Sequence, residues 1–235
     1  IKAIFDITVA AGKNDQEPVA LQAIEFWSTV AEVEADLIEE ELECHNFVQA
    51  AITPLCLLLL ELLTRQDEHA DEGELNISNA AGTCLALVSR VAGNSVVNEV
   101  MPFVSKYITS ANWKEKEAAT LAFSAILDGP NSDAMANLVT QAIPVMTKQV
   151  IETAGAQSEG ITLLKDTTVF TIGRIIQYYP QQVLNLLDNV MGALSIAIQD
   201  EPRIASKACW AIHNLGTAVE EIAQEENRGG EEEQT

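Results

Sequence analysis

The sequence predicts an all-α fold, a solenoid of antiparallel helix pairs stacked side by side. Three observations carry this. Apolar residues recur at helical spacing along nearly the whole chain, while strand signals stay weak. Gly, Pro, Asn and Asp punctuate the helical stretches. The stretches also fall into pairs that resemble one another, at an average spacing near that of two-helix repeats, about 40–47 residues.

Helices are predicted at 1–12, 18–37, 46–65, 77–92, 96–109, 113–128, 133–153, 161–179, 182–199 and 202–226. The gaps hold Gly93-Asn94, Asp128-Gly129-Pro130, Gly155 and Gly160, Pro180, and Asp200-Glu201-Pro202. The first helix carries Ile4, Phe5 and Ile7, and the second places Phe26 and Trp27 in its stripe, as core. Three first helices share a Pro within an apolar stretch: Ala51-Ile52-Thr53-Pro54-Leu55, Glu99-Val100-Met101-Pro102-Phe103 and Gln141-Ala142-Ile143-Pro144-Val145. Such a Pro kinks a helix. Their partner helices carry small-residue segments that permit close packing: Asn79-Ala80-Ala81-Gly82, Glu117-Ala118-Ala119-Thr120, Asp166-Thr167-Thr168-Val169 and Ser206-Lys207-Ala208-Cys209.

The last two second helices have clear faces on a helical wheel. Leu164, Thr168, Ile172 and Ile175 form one stripe, with Phe170 across from it beside Asp166, Arg174 and Gln177. Ile204, Ala208, Ala211, Leu215, Val219 and Ile222 form the other, with Trp210 opposite among Arg203, Ser206, Asn214, Thr217 and Glu221. A helix pair alone cannot bury its apolar face, and stacked neighbours make a continuous core. Residues 1–226 are therefore expected to form a single array of about five repeats. The chain opens at Ile1, without Met and inside a helical pattern, which reads as a piece of a longer array. Residues 227–235 are expected to be an acidic, disordered tail.

The chain has 235 residues, with 13 Lys and Arg against 35 Asp and Glu, a net charge of −22. That charge repels phosphate backbones and anionic lipid, so nucleic acid and membrane surfaces are poor partners and a basic partner suits it. Cys44, Cys56, Cys84 and Cys209 lie far apart. Cys56, Cys84 and Cys209 fall inside apolar helical patterns as small core residues, which fits a reducing compartment. His45, His69 and His213 are scattered, with no metal-ligand spacing, and there is no nucleophile elbow, P-loop or dinucleotide fingerprint. An enzyme is not indicated, and no cofactor is called for.

Four stretches in register resemble the importin-β (karyopherin β) family. They are Val19-Ala20-Leu21-Gln22-Ala23-Ile24-Glu25-Phe26-Trp27-Ser28; Asn112-Trp113-Lys114-Glu115-Lys116-Glu117-Ala118-Ala119, running on to Asp128-Gly129-Pro130; Lys165-Asp166-Thr167 with Ile172-Gly173-Arg174-Ile175; and Glu201-Pro202-Arg203-Ile204-Ala205-Ser206 with Cys209-Trp210-Ala211. The resemblance implies the middle HEAT repeats of a superhelical solenoid. It implies a nuclear import receptor moving between cytoplasm and nucleus through the pores. Cargo, or the basic importin-β-binding segment of importin α, would lie on the concave face made by second helices. Phe-Gly nucleoporins would touch the outer face, and Ran in its GTP form would release cargo. A transportin-type receptor and a HEAT scaffold without a transport role are the alternatives.

Candidate sites follow. Trp210, Phe170, Asp166 and Ser206 are expected to bind cargo or importin α, since an aromatic face beside carboxylates suits Lys and Arg. The family places Trp at both ring positions, so Phe170 is a departure. Asp67, Glu68, Asp71, Glu72 and Glu74 form an acidic loop read as a contact for Ran or cargo, with Leu75 where the family has Trp. Ile4, Phe5 and Ile7 are the candidate Phe-Gly contact. The acidic run at 32–43 is read as a solvated helix end and loop.

Overall fold

The computed structural model describes residues 2–14, 16–67 and 76–232. Eleven helices follow one another among them: α1 (Lys2–Asn14), α2 (Glu17–Glu39), α3 (Phe47–Leu62), α4 (Ile77–Ala92), α5 (Ser95–Tyr107), α6 (Trp113–Ala125), α7 (Ser132–Glu152), α8 (Glu159–Tyr178), α9 (Pro180–Leu184), α10 (Leu187–Ala197) and α11 (Pro202–Glu232). No strand occurs among the described residues. None of these helices is long and apolar enough to cross a membrane.

Two boundaries differ from expectation. The segment expected as one helix over 182–199 is divided, because Leu186 leaves helical backbone at φ −127°. Val183 and Val190 are buried on either side of the break. At the other boundary α11 runs to Glu232, past residue 227, where a disordered tail is expected. The Glu- and Gln-rich stretch from Glu220 to Glu226 is made of good helix formers and lets the helix continue.

The chain forms two compact units, Ile1–Ala134 with Ser158–Leu164, and Met135–Gln157 with Lys165–Thr235. In the first, α1, α3 and α5 are first helices and α2, α4 and α6 their partners. Pairs α1–α2, α3–α4 and α5–α6 pack internally, first helices stack on first helices, and second on second. Helices α2 and α4 pack against each other, and their buried residues include the small side chains Ala20, Ala23, Ala31, Ala80 and Ala81, which allow helices to approach closely. Leu55, Leu59, Leu62, Leu85 and Phe123 fill the space between the layers. Helices α3, α5 and α7 run through Pro54, Pro102 and Pro144.

Trp27 is buried as expected, donating its indole N–H to Thr8 Oγ1 at 2.9 Å with Phe5 edge-on against it. Phe26 is not in the core; it is 39% exposed. The buried face of α2 takes Trp27 and Ser28 at this turn, and Phe26, one step back around the helix, falls outside it. Glu34 also departs from the solvated reading of its segment, being only 3% exposed. Its carboxylate accepts the N–H of Phe47 at 2.5 Å and of Val48 at 3.0 Å, capping α3. The cap position itself is Asn46, which sits at φ 56° and makes no side-chain cap. The first N–H groups of a helix have no internal partner, and here a carboxylate from α2 supplies one.

Cys56 and Cys84 are buried, as read from the sequence. Burial pushes the Cys56 thiol up to about 12, with Glu99 and Cys84 adding to the effect. Burial likewise pushes Cys84 up to about 12, against a hydrogen bond from Ser28 and with help from Glu25. Cys209 is exposed instead, because Ala208 and Ala211 take the buried positions of its helical turn. A thiol reagent at pH 8 should therefore label Cys209 and Cys44 in the folded protein, and Cys56 and Cys84 only after denaturant is added. Native labelling of all four at one rate would contradict this packing.

In the second unit Met135, Val139, Ile143 and Met146 of α7 are buried, as are Ile172 and Ile176 of α8. Gln149 donates to Thr168 Oγ1 at 2.5 Å, tying α7 to α8. Lys165 is buried, and its ammonium donates to both oxygens of Asp200, at 2.7 and 2.9 Å, and to the carbonyl of Ala156 at 3.0 Å. One side chain thus joins the turn before α8 to the turn before α11.

Candidate partner-binding surfaces

The stripe residues of both helices are buried as the wheel predicts, but α8 is also buried on its other sides, at Lys165, Asp166, Val169 and Thr171 among others. Leu164, Thr168, Ile172 and Ile175 are buried, as are Ile204, Ala208, Ala211 and Leu215. The α11 stripe ends there: Val219 is exposed and Ile222 only half-buried. Phe170 and Trp210 are half-buried and stack on each other, ring centroids 5.5 Å apart and planes 18° from parallel. The stack forms because Gly173 leaves room beneath Trp210. A Cβ on Gly173 would lie 2.4 Å from the indole ring. Asn214 then donates its side-chain N–H to the Gly173 carbonyl at 3.2 Å. Ser206 is exposed on the same helix.

Asp166 does not face solvent with them. It is 3% exposed, and its Oδ2 accepts Arg203 at 2.8 Å and Lys207 at 2.5 Å. Both cations sit on Oδ2, while Oδ1 is buried without a hydrogen bond, so the Asp166 carboxylate already serves the protein's own packing. Lys207 is also held over the Phe170 ring, its nitrogen 5.6 Å from the centroid. One turn beyond Phe170, Arg174 lies over Tyr178 at 5.3 Å. Sequence reading found the rings but not the cation Lys207 on Phe170, a contact between residues 37 apart on two helices that no local spacing signals. The Arg174–Tyr178 pair, four residues apart on α8, had such a signal.

Of the acidic loop, Asp67 is exposed, while Glu68, Asp71, Glu72, Glu74 and Leu75 lie outside the described residues. The residues on either side are anchored. Gln66 is buried and donates to Lys114 O and to Glu117 Oε2, both at 2.7 Å. On the far side, Asn76 caps α4 through Asn79 N–H, and Ser78 donates to Leu63 O. At the N-terminus Ile4 and Ile7 are exposed, Ile7 at 69%, while Phe5 turns against Trp27. A groove of 680 Å³ that the sequence did not reveal runs between α3 and α5. Leu57, Leu60, Pro102, Phe103 and Tyr107 line it, with Glu61 among its polar residues.

No family model matches the chain. Individual relatives do. Importin subunit beta-1 of Arabidopsis thaliana is 37% identical over 93% of this chain and 27% of its own length. A structure of a Kap95:Nup1 complex superposes with a TM-score of 0.84 at 33% identity, covering 94% of this chain and 26% of that one. A second Kap95p structure, in which Kap95p binding induces the switch loops of RanGDP to adopt the GTP-bound conformation, gives 0.82 at 34% identity, over 91% and 25%. The chain belongs to the importin-β family. It spans about a quarter of the length of the relatives it matches.

Two of the four stretches of resemblance touch one another: Asp166 meets Arg203, and Gly173 underlies Trp210. Lys165 of the third meets Asp200, just before the fourth. Gly160 similarly underlies Trp113, where an added Cβ would lie 2.4 Å from the indole.

Proposed function

We propose that this chain is a stretch of a nuclear import receptor that holds a Lys/Arg-rich segment of cargo or of importin α. It works without catalysis, moves between cytoplasm and nucleus, and yields its cargo to Ran in the GTP form. The kinship to importin subunit beta-1 over nearly the whole chain carries this reading. The excess of 35 carboxylates over 13 cations supplies the attraction for a basic segment. The exposed carboxylates of α2, Glu32 and Asp36 among them, are the groups offered. The loop residues Glu68, Asp71, Glu72 and Glu74 extend the same charge by sequence. Trp210, Phe170 and Ser206 give a second contact through stacking and hydrogen bonding. The helix pairs are taken as about five HEAT repeats of that receptor.

For a Phe-Gly nucleoporin the α3–α5 groove is a better seat than Ile4, Phe5 and Ile7. It offers a concave apolar wall of Leu57, Pro102 and Phe103, and a single Phe ring buries well only in such a concavity.

Titration of a Lys/Arg-rich peptide into the chain at low and at high salt tests the central claim. Affinity is expected to fall steeply with salt, because the pairing lies near solvent where a Debye length is about 10 Å at 0.1 M. The melting temperature should change little over the same range. Equal affinity at both salts would refute a charge-driven basic partner.

A further inference from the structure

The turn that joins α2 to α3 carries apolar side chains that the packing leaves uncovered. Ile38 is 47% exposed, Leu42 54% and Phe47 37%. They gather around one end of α2. Trp27, Ala31 and Glu34 lie on the buried side of that helix, and Ile38 continues their line at the same spacing of three and four residues. Glu34 accepts the N–H of Phe47, which brings Phe47 to the helical turn before Ile38. Leu42 is tied to the same place, its N–H donating to the carbonyl of Leu37 at 2.8 Å while Glu41 donates to Ile38 at 3.1 Å. These are the two bonds of a Schellman helix end. Glu41 stands in its left-handed position at φ 56°, where Gly is the usual residue. The stripe that buries Trp27 thus runs on past the neighbours that cover it.

Carboxylates flank the patch along the chain. Glu39, Glu40, Glu41 and Glu43 are exposed. Arg90 comes within 4.0 Å of Glu39, at the outer limit of an ion pair. His45 lies beside Phe47, ring centroids 5.4 Å apart, and leaves that ring partly open to solvent. Exposed apolar area with a rim of one charge sign selects its partner by both properties. An acidic peptide or an anionic lipid surface meets like charge here. A segment with an apolar residue between Lys or Arg side chains meets an apolar seat and opposite charge.

We propose that the turn between α2 and α3 docks a basic segment of a partner protein through an apolar anchor, a Leu- or Phe-like residue set on Ile38, Leu42 and Phe47 with Lys or Arg on either side paired to Glu40 and Glu43. Glu32 and Asp36 lie on another side of α2, so this seat is separate from the carboxylates invoked above. Charge alone attracts any Lys/Arg-rich chain, whereas this seat requires the apolar residue as well.

Three labelled peptides test it by fluorescence anisotropy at about 0.15 M salt, where a Debye length of about 8 Å leaves mainly contact-range pairs. They are Gly-Ser-Lys-Lys-Leu-Lys-Lys-Ser-Gly, the same peptide with Ser in place of Leu, and the same peptide with Glu in place of every Lys. The Leu peptide is expected to bind tightest, the Ser peptide about fivefold weaker, and the Glu peptide not at all. Its amide chemical-shift changes should centre on residues 38–47. Leu42→Ser should erase the preference for Leu over Ser. The double variant Glu40→Gln, Glu43→Gln should weaken the Leu peptide by up to about fivefold per pair. Those two carboxylates are exposed, so the double variant keeps the test valid should Leu42→Ser lower stability. Equal affinity for the Leu and Ser peptides, or affinity untouched by both sets of variants, would overturn the proposal. Binding lost with Glu32→Gln and Asp36→Gln but not with Glu40→Gln and Glu43→Gln would overturn this seat and leave the charge-driven reading standing. No binding by either Lys peptide would overturn both.

Discussion

Asp200→Ala is expected to lower the unfolding free energy by about 3–5 kcal/mol, the scale for breaking a buried ion pair from one side. Lys165 is 3% exposed and grips Asp200 through both carboxylate oxygens. The variant leaves its ammonium with a single carbonyl, that of Ala156. Adding Lys165→Met should recover much of the loss, because an apolar side chain of similar length needs no partner. Urea unfolding of the three proteins checks this. A loss below about 1 kcal/mol would place the pair with exposed ones, which contribute little.

The same pair predicts a pH dependence with a definite sign. Burial alone would raise the Asp200 carboxyl, but hydrogen bonds from Lys165 and from the Glu201 N–H, with the Lys165 charge, hold it below its ordinary value of 3.8. A folded value below the unfolded one gives stability that is complete above the unfolded value and lost as pH falls through the folded one. The stability difference between wild type and Asp200→Asn should thus be flat at neutral pH and shrink on acidification below about pH 4. A difference that grows in acid would contradict the pairing.

Gly129→Ala is the second large effect, expected to destabilise by about 1–3 kcal/mol. A Cβ there would lie 2.4 Å from the carbonyl oxygen of Ser89 and 2.5 Å from its carbonyl carbon. Those are backbone atoms of a buried residue near the end of α4, so no side chain can swing aside. Gly216→Ala should act in the opposite direction. Gly216 lies exposed within α11 with nothing within 4 Å of the added carbon, and Ala is the better helix former by about 1 kcal/mol. Thermal melts of the two variants should move apart, one below and one above wild type. Shifts of the same sign would mean that contact at Gly129 does not govern its choice.

Helices were legible because their signals are local. Apolar spacing and Gly or Pro punctuation act within a few residues, and the boundaries of α4, α6 and α8 fall close to where the pattern puts them. The buried stripe of α8 was legible for the same reason. The failures concern single residues whose fate depends on distant ones. Phe26 and Trp27 are equally apolar neighbours, and their order in the core depends on which direction α2 presents to α1 and α4. Glu34 looks like one more carboxylate of an acidic run until Phe47 and Val48, 13 and 14 residues away, turn their N–H groups toward it.

The candidate site divides along the same line. Sequence alone determined that Phe170 and Trp210 lie off the apolar stripes of their helices, since the 100° step between successive residues is a property of every α-helix. It also determined the large negative charge, and through four stretches in register the kinship to importin β. Tertiary packing decided what that surface offers a partner. Asp166 is 37 residues from Arg203 and 41 from Lys207, and only the packing of α8 against α11 draws them together. A carboxylate that joins two cations inside the protein has no charge left to offer outside it. Net charge is a sum over residues and needs no fold, whereas the sign of the field at one surface depends on which charges are already paired.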